Sequence, residues 1–204
     1  MPDRQKQKPK VPATPTSKRQ DPDIIELTSE VAYRTRLQKI CNKINAAANL
    51  DEILINLKDD ITSLFEAERI TVYVVDENKH QLVSRFKSGN DIEEIRIPIS
   101  ANSIAGWCAV KNTVINIKDA YNSKELAGID PDLRFDERWD LQTGFKTRQI
   151  LARPIGFRNR LLGVIQLMNR KTGKTFVQVD EKSLEEVAGI LGIALHTQQK
   201  LTHR

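Results

Sequence analysis

Phe135-Asp136-Glu137-Arg138-Trp139-Asp140-Leu141-Gln142-Thr143-Gly144-Phe145-Lys146-Thr147-Arg148-Gln149-Ile150-Leu151 is the stretch that decides how this chain is read. Polar side chains stand at fixed offsets, a glycine turns the backbone, and an apolar run then reads as a buried strand. Polar groups set just before a buried strand have a purpose where something polar docks against them. The stretch therefore points to a site where a polar group docks.

Downstream, two core strands are expected, Gln149 to Phe157 and Leu161 to Asn169, joined by the tight turn Arg158-Asn159-Arg160. A last helix is expected to open at Asp180, with Asp180 as N-cap and an acidic first turn. Leu184, Val187, Leu191, Ala194 and Leu201 fall on one stripe of it. Upstream, the segment from Tyr121 to Gln142 reads as polar and irregular, with one helical turn. Before it come a strand from Thr113 to Ile117, a short helix from Ser103 to Val110, and strands at Glu94 to Pro98, Gln81 to Lys87 and Arg69 to Val75. Two amphipathic helices open the fold. Tyr33, Leu37, Ile40, Ile44 and Ala47 mark the first, and Ile53, Leu54, Leu57, Ile61, Leu64 and Phe65 the second. Helices, antiparallel strands, inserted helices, strands and a closing helix make an α+β domain with helices on the faces of one sheet.

Residues 1–26 are expected to be a disordered leader, because prolines among Lys, Gln, Ser and Thr cannot bury enough apolar surface to fold. The folded domain is expected over 27–204. In residues 1–20, Arg4, Lys6, Lys8, Lys10, Lys18 and Arg19 oppose Asp3 alone, which accounts for the whole net charge of +5. The remainder is balanced, so no nucleic-acid face is expected. Cys41 and Cys108 are the two cysteines; they make neither a disulfide framework nor a metal cluster. The longest clean apolar run, Val187 to Leu195, is too short to span a bilayer, and the expected location is cytoplasmic. Arguments against catalysis follow: no nucleophile–base pairing and no lysine-bearing phosphate loop is present.

Four segments, Glu94-Ile95-Arg96-Ile97-Pro98, Ser103-Ile104-Ala105-Gly106-Trp107, Asn116-Ile117-Lys118-Asp119-Ala120-Tyr121 and Asp140 to Leu151, resemble those of a GAF domain. A fifth, Asn169-Arg170, Phe176, Asp180-Glu181, resembles the Asn-Lys, Phe, Asp-Glu signature of its nucleotide-binding members, with arginine where the family has lysine. The likeness runs from about Ser29 to Gln199. It is to the regulatory GAF domains of mammalian cyclic-nucleotide phosphodiesterases and cyanobacterial adenylyl cyclases. It implies a central antiparallel sheet with the N- and C-terminal helices on one face and a lidded pocket on the other.

By that resemblance Ile104 and Ala105 offer backbone amides to a phosphate, and Asp140, Thr143 and Thr147 supply the lid's contacts. Thr71 and Gln166 match the pocket floor, with hydrogen bonding inside the fold as the equal alternative. Phe86 matches a base-stacking aromatic, with a core role nearly as well supported. Lys87 stands where an aspartate reads the purine edge; a lysine only donates, which disfavours cyclic GMP and leaves cyclic AMP, or an unrelated anion, open. Asn169, Arg170, Phe176, Asp180 and Glu181 are expected as structural braces, with Arg170 or Lys171 pairing with Asp180. The function expected is non-catalytic sensing of a small anionic ligand, a cyclic nucleotide, with no other cofactor and no metal. The signal would pass through terminal helices to an output domain or effector, the chain forming a homodimer through those helices. The alternative is a ligand-free dimerisation or interaction module at the N-terminus of a larger bacterial signalling protein or secretion or pilus ATPase.

Overall fold

The computed structural model describes residues 22–47, 49, 52, 57–88 and 91–202, with side chains from 27 onward except those of 85–93, 201 and 202. Strand β1 (Ala67–Asp76) forms where β-branched and aromatic residues dominate, stiff at χ1 and suited to a pleated surface. Its alternation sends Ile70, Val72 and Val74 into one core and Tyr73 into another on the opposite face. The remaining strands are β2 (Gln81–Ser88), β3 (Asp91–Pro98), β4 (Ile115–Ile117), β5 (Ile150–Phe157) and β6 (Arg160–Arg170). They form a six-stranded sheet in the order β3-β2-β1-β6-β5-β4, every neighbouring pair antiparallel. The β5–β6 hairpin turns through Arg158 (φ 47°) and Asn159 (φ 63°), both positive as its tight reversal requires.

Helices α1 (Pro22–Ala46), α2 (Lys58–Leu64) and α6 (Gln178–Thr202) cover one face. Leu37, Ile40 and Ile44 of α1 and Leu184, Val187, Leu191, Ala194 and Leu195 of α6 pack with Ile70, Val72, Leu151, Ile155, Ile165 and Leu167. Each such Leu, Ile or Val side chain contributes about 1.5–3 kcal/mol through its removal from water. The other face carries α3 (Ile104–Lys111), whose Ile104, Ala105, Trp107 and Cys108 pack on Tyr73, Leu82, Ile150, Ala152 and Val164. Two shorter helices, α4 (Ser123–Ile129) and α5 (Arg138–Thr143), complete that side. The architecture is α+β, with the terminal helices together on one face of an antiparallel sheet.

Four expectations need correction in detail. Helix α1 begins at Pro22, not Leu27; proline's fixed φ suits a first helical position, and residues 1–21 of the expected leader lie outside the described ones. The α6 stripe of Leu184, Val187, Leu191 and Ala194 lies on the sheet within the chain's own core, not along a seam between helices of two copies; the side chain of Leu201 lies outside the described ones. Asp180 is not the N-cap. The helix opens at Gln178, and Asp180 reaches back from the first turn to accept the Val177 N–H at 2.7 Å, the returning half of a capping box. The segment read as irregular holds α4, whose cap is Asn122, accepting from the amides of Lys124 and Glu125 at 3.1 and 3.2 Å.

Gly163 pairs with Val74 across β1 and β6, and a Cβ there would run into the carbonyl oxygen of Tyr73. Gly163→Ala is expected to destabilise the fold by about 1–3 kcal/mol, read as a lower midpoint in urea with an unchanged slope.

Candidate functional site

On the lid-facing side of the sheet, Thr71 and Gln166 are direct register partners across β1 and β6. Both are half-buried, and among the described residues neither side chain has a hydrogen-bond partner. The floor thus presents a hydroxyl and a primary amide with unused bonding capacity. Ala152 of β5 pairs with Gln166 on the same face and is fully buried.

Helix α3 opens with Ser103 as N-cap, its hydroxyl accepting the Gly106 N–H at 3.2 Å. Gly106 admits no Cβ: the carbonyls of Ser100 and Pro98 and the Ser103 hydroxyl occupy that space. Ile104 and Ala105, both buried, follow the cap directly, so their N–H groups have no intrahelical acceptor. Such an end, with its partial positive charge, suits an anion.

The lid does not gather Asp140, Thr143 and Thr147 around one point. Asp140, 7% exposed, accepts from the Tyr121 hydroxyl at 2.9 Å, the Thr147 N–H at 2.6 Å and the Thr147 hydroxyl at 2.7 Å. Asp140 and Thr147 therefore close a clasp with each other. Thr143 is exposed, donates back to the Trp139 carbonyl at 2.8 Å, and accepts from Arg69 Nη1 at 3.3 Å. Gly144 then takes φ 67° to end α5, the left-handed conformation that glycine adopts without a Cβ penalty. Trp139 is 38% exposed, whereas Trp107 is buried on α3 and donates to Asp130 Oδ2 at 3.0 Å. Phe86 and Lys87 lie on β2, opposite Glu93 and Ile92 of β3; their side chains lie outside the described ones.

Two residues missed in the sequence reading hold this region together. Arg69 sits on β1 with its guanidinium 3.9 Å from the Phe145 ring centroid, bridging sheet and lid. Among the described residues it has no carboxylate partner. Its signal was available: it lies two residues from Thr71, on the same face of the strand. Tyr121 meets Phe135 edge-on at 5.1 Å and carries Lys146 Nζ 3.3 Å from its ring centroid. Burial, and then the bond to Asp140, push its phenol up to about 12, so it remains a donor at neutral pH.

Behind the site, Asn169 is 1% exposed with φ 51°. Its carbonyl oxygen accepts the N–H groups of Arg148 at 2.7 Å and Gln149 at 3.1 Å, and its amide donates to Glu68 at 2.7 Å and the Lys146 carbonyl at 2.8 Å. Arg170, not Lys171, donates to Asp180 at 2.9 Å. Gln149 accepts the Arg170 N–H at 3.2 Å and donates to the Gly173 carbonyl at 3.1 Å. Asn116 donates to Glu181 at 2.8 Å and to the carbonyl of buried Phe176 at 3.1 Å. These contacts join β4, the start of β5 and the end of β6 to the start of α6.

Among the described residues no group of His, Cys, Asp and Glu is arranged to hold a metal. Cys108 is buried, and burial pushes its thiol up to about 12. Cys41 packs with the helix-face core and Cys108 with the lid-face core, so the sheet separates them.

Residues 49–195 match the GAF domain family. The chain is 31% identical over 160 residues to a probable 3',5'-cyclic phosphodiesterase, pde-5, of Caenorhabditis elegans, covering 72% of this chain and 20% of that protein; it spans about a fifth of that relative's length. Similar solved structures include the GAF domain of a phosphoenolpyruvate-protein phosphotransferase from Acinetobacter, with TM-score 0.67 and 14% identity over 85% of this chain and 98% of the other. Another is a free methionine-R-sulfoxide reductase from Neisseria meningitidis in complex with its substrate, with TM-score 0.63 and 20% identity over 83% and 91%. These likenesses establish the fold.

Two outcomes test this geometry. Asn169→Ala leaves the backbone N–H groups of Arg148 and of buried Gln149 without acceptors and is expected to cost about 2–3 kcal/mol, measured by urea unfolding. Asp130 is held below the usual carboxylate range, first by the Asp132 amide and next by the Trp107 indole. Its folded value lies below the unfolded one, so its stabilisation is present above about pH 4 and lost as pH falls through the folded value. Trp107 fluorescence, followed in a Trp139→Phe background, is expected to show that acid step, and Asp130→Asn to remove it.

Proposed function

The chain belongs to the GAF domain family, and from that premise we propose that it is a sensory module enclosing a small anionic ligand, a cyclic nucleotide, between floor and lid. The observation that carries this reading is the unpartnered pair Thr71 and Gln166, lying on the same sheet face as the serine-capped end of α3. The amides of Ile104 and Ala105 meet the phosphate. Thr147, whose hydroxyl proton already points to Asp140, keeps lone pairs for a ribose hydroxyl. Arg69, with most of its five N–H donors unused, adds positive charge between floor and lid. Thr143 and Gln166 add polar groups, and the family resemblance assigns Phe86 and Lys87 to the base. The C. elegans relative's name as a cyclic phosphodiesterase supports this ligand class.

The module is non-catalytic and cytoplasmic in this reading. No helix among the described residues is long and apolar enough to cross a membrane. The separation of Cys41 from Cys108 opposes thiol exchange between them, so thiol-dependent reduction of free methionine sulfoxide is expected to be absent. Ligand binding would bias α1 and α6 through the brace to a fused or partner output domain, provided the ligand favours one arrangement of those helices.

A second reading, as a dimerisation or interaction module, rests on Leu27 and Val31, one turn apart on α1 and 63% and 58% exposed. Homodimerisation would then use the outer face of α1, since the α6 stripe is spent on the sheet. Sedimentation showing only monomer at high concentration would remove it.

Calorimetric titration distinguishes the two. Cyclic AMP is expected to bind more tightly than cyclic GMP, and Arg69→Ala to weaken binding by about ten-fold, some 1.4 kcal/mol. No heat and no thermal shift with either nucleotide would reject the sensor reading.

A further inference from the structure

Away from the lid, α6 crosses the β5–β6 hairpin at the closest approach backbones allow: a Cβ on Gly192 would collide with the carbonyl oxygen of Gly156. That contact fixes the register of everything beyond it. One turn on, His196 stacks on Phe157 with ring centroids 4.3 Å apart and planes 21° from parallel. A further turn brings Lys200 along the same helix stripe toward the hairpin tip. Arg158, at that tip, lies 5.3 Å from the Phe157 ring centroid, and Arg160 donates through Nε to Glu77 at 3.0 Å.

Three cations therefore gather around one imidazole. Partial burial, then Lys200, Arg158 and Arg160 in that order, hold His196 below its usual value, and Glu77, on the β1–β2 turn, is the one carboxylate paired within the cluster among the described residues. Among the described residues neither Arg158 nor Lys200 has a carboxylate partner. Ile193, on the adjoining surface of α6, is 53% exposed. Beyond residues 1–20 the chain's charges balance, so this corner is a local concentration and not part of a basic hemisphere.

We propose that the hairpin–helix corner is a docking surface for an acidic protein segment. Carboxylates of the segment pair with Arg158 and Lys200, and an apolar residue within it covers Ile193. Duplex nucleic acid and anionic membranes fit less well. Three cations, one already paired with Glu77, neutralise too few phosphates for either, and binding of that kind scales with the number neutralised. The surface lies toward the C-terminal end of α6, so a bound segment would sense any movement of that helix. The proposal is independent of what the lid site binds.

The test uses the protein with a fluorescein-labelled peptide of alternating glutamate and leucine, followed by anisotropy at low and high salt. Duplex DNA and phosphatidylserine vesicles serve as competitors. The peptide is expected to bind, with affinity falling steeply as salt rises. The His196 pKa, followed by ring-proton NMR, is expected to rise on binding, because an arriving carboxylate favours the imidazolium. Arg158→Glu and Lys200→Glu are each expected to weaken binding by at least about ten-fold, whereas Lys182→Glu, at the opposite end of α6, leaves it unchanged. Thermal melting confirms that each variant is folded. Absence of peptide binding, binding that survives both reversals, or an unmoved His196 would overturn the proposal. So would equal or better binding of DNA or vesicles, since either would assign the corner to another class of partner.

Discussion

One buried side-chain amide organises this structure. Asn169 ends the long strand β6 in the left-handed conformation, and its two amide atoms make four hydrogen bonds into the segment that leads from lid to β5 and into β1. A buried N–H without an acceptor costs about as much as several net hydrogen bonds contribute, so those four contacts are mutually obligatory. Asparagine is among the few non-glycine residues that tolerate this backbone while offering both a donor and an acceptor. The path of residues 146–149, and with it the root of the lid, follows from it.

The same junction reaches the other side of the molecule. Gln149 holds the Arg170 amide, Arg170 grips Asp180, and Asp180 holds the first turn of α6. Lid and terminal helix are thus neighbours through one polar cluster, although their apolar surfaces lie on opposite faces of the sheet. A change in lid position has a short physical route to α6. What travels along it depends on whether a ligand prefers one setting of that cluster over another.

Much of this was legible in the sequence because two levels agreed. Alternation in Arg69 to Val75 and in the two hairpin strands forecasts the central strands, and the stripes of α1 and α6 forecast what covers them. The stripe on α6 shows the limit: periodicity reveals that a face is buried, but not whether a sheet or another helix buries it. Asp180 illustrates the same ambiguity at a helix start, where cap and N3 positions both favour an acid. The short helix behind Asn122 was not placed, and only one helical turn was expected in its segment, because its seven residues carry too little periodicity to register. Within the candidate site, the serine cap of α3 was legible as a residue type at a helix start, whereas Thr71 and Gln166 were assigned by the family resemblance alone. Arg69 and Tyr121 were not singled out, because their roles depend on long-range contacts to Phe145 and Asp140. The lid threonines, grouped together in sequence, separate in space because Asp140 captures one and Trp139 the other.

The central claim is that the amide end of α3 is an anion site facing the floor pair. Site-resolved hydrogen exchange of the Ile104 and Ala105 amides, with and without saturating cyclic AMP, tests it most directly. The account predicts marked slowing of both amides together with that of Thr147, while amides on the outer face of α1 exchange as before. Unchanged exchange at Ile104 and Ala105 in protein shown to be saturated with nucleotide would contradict it.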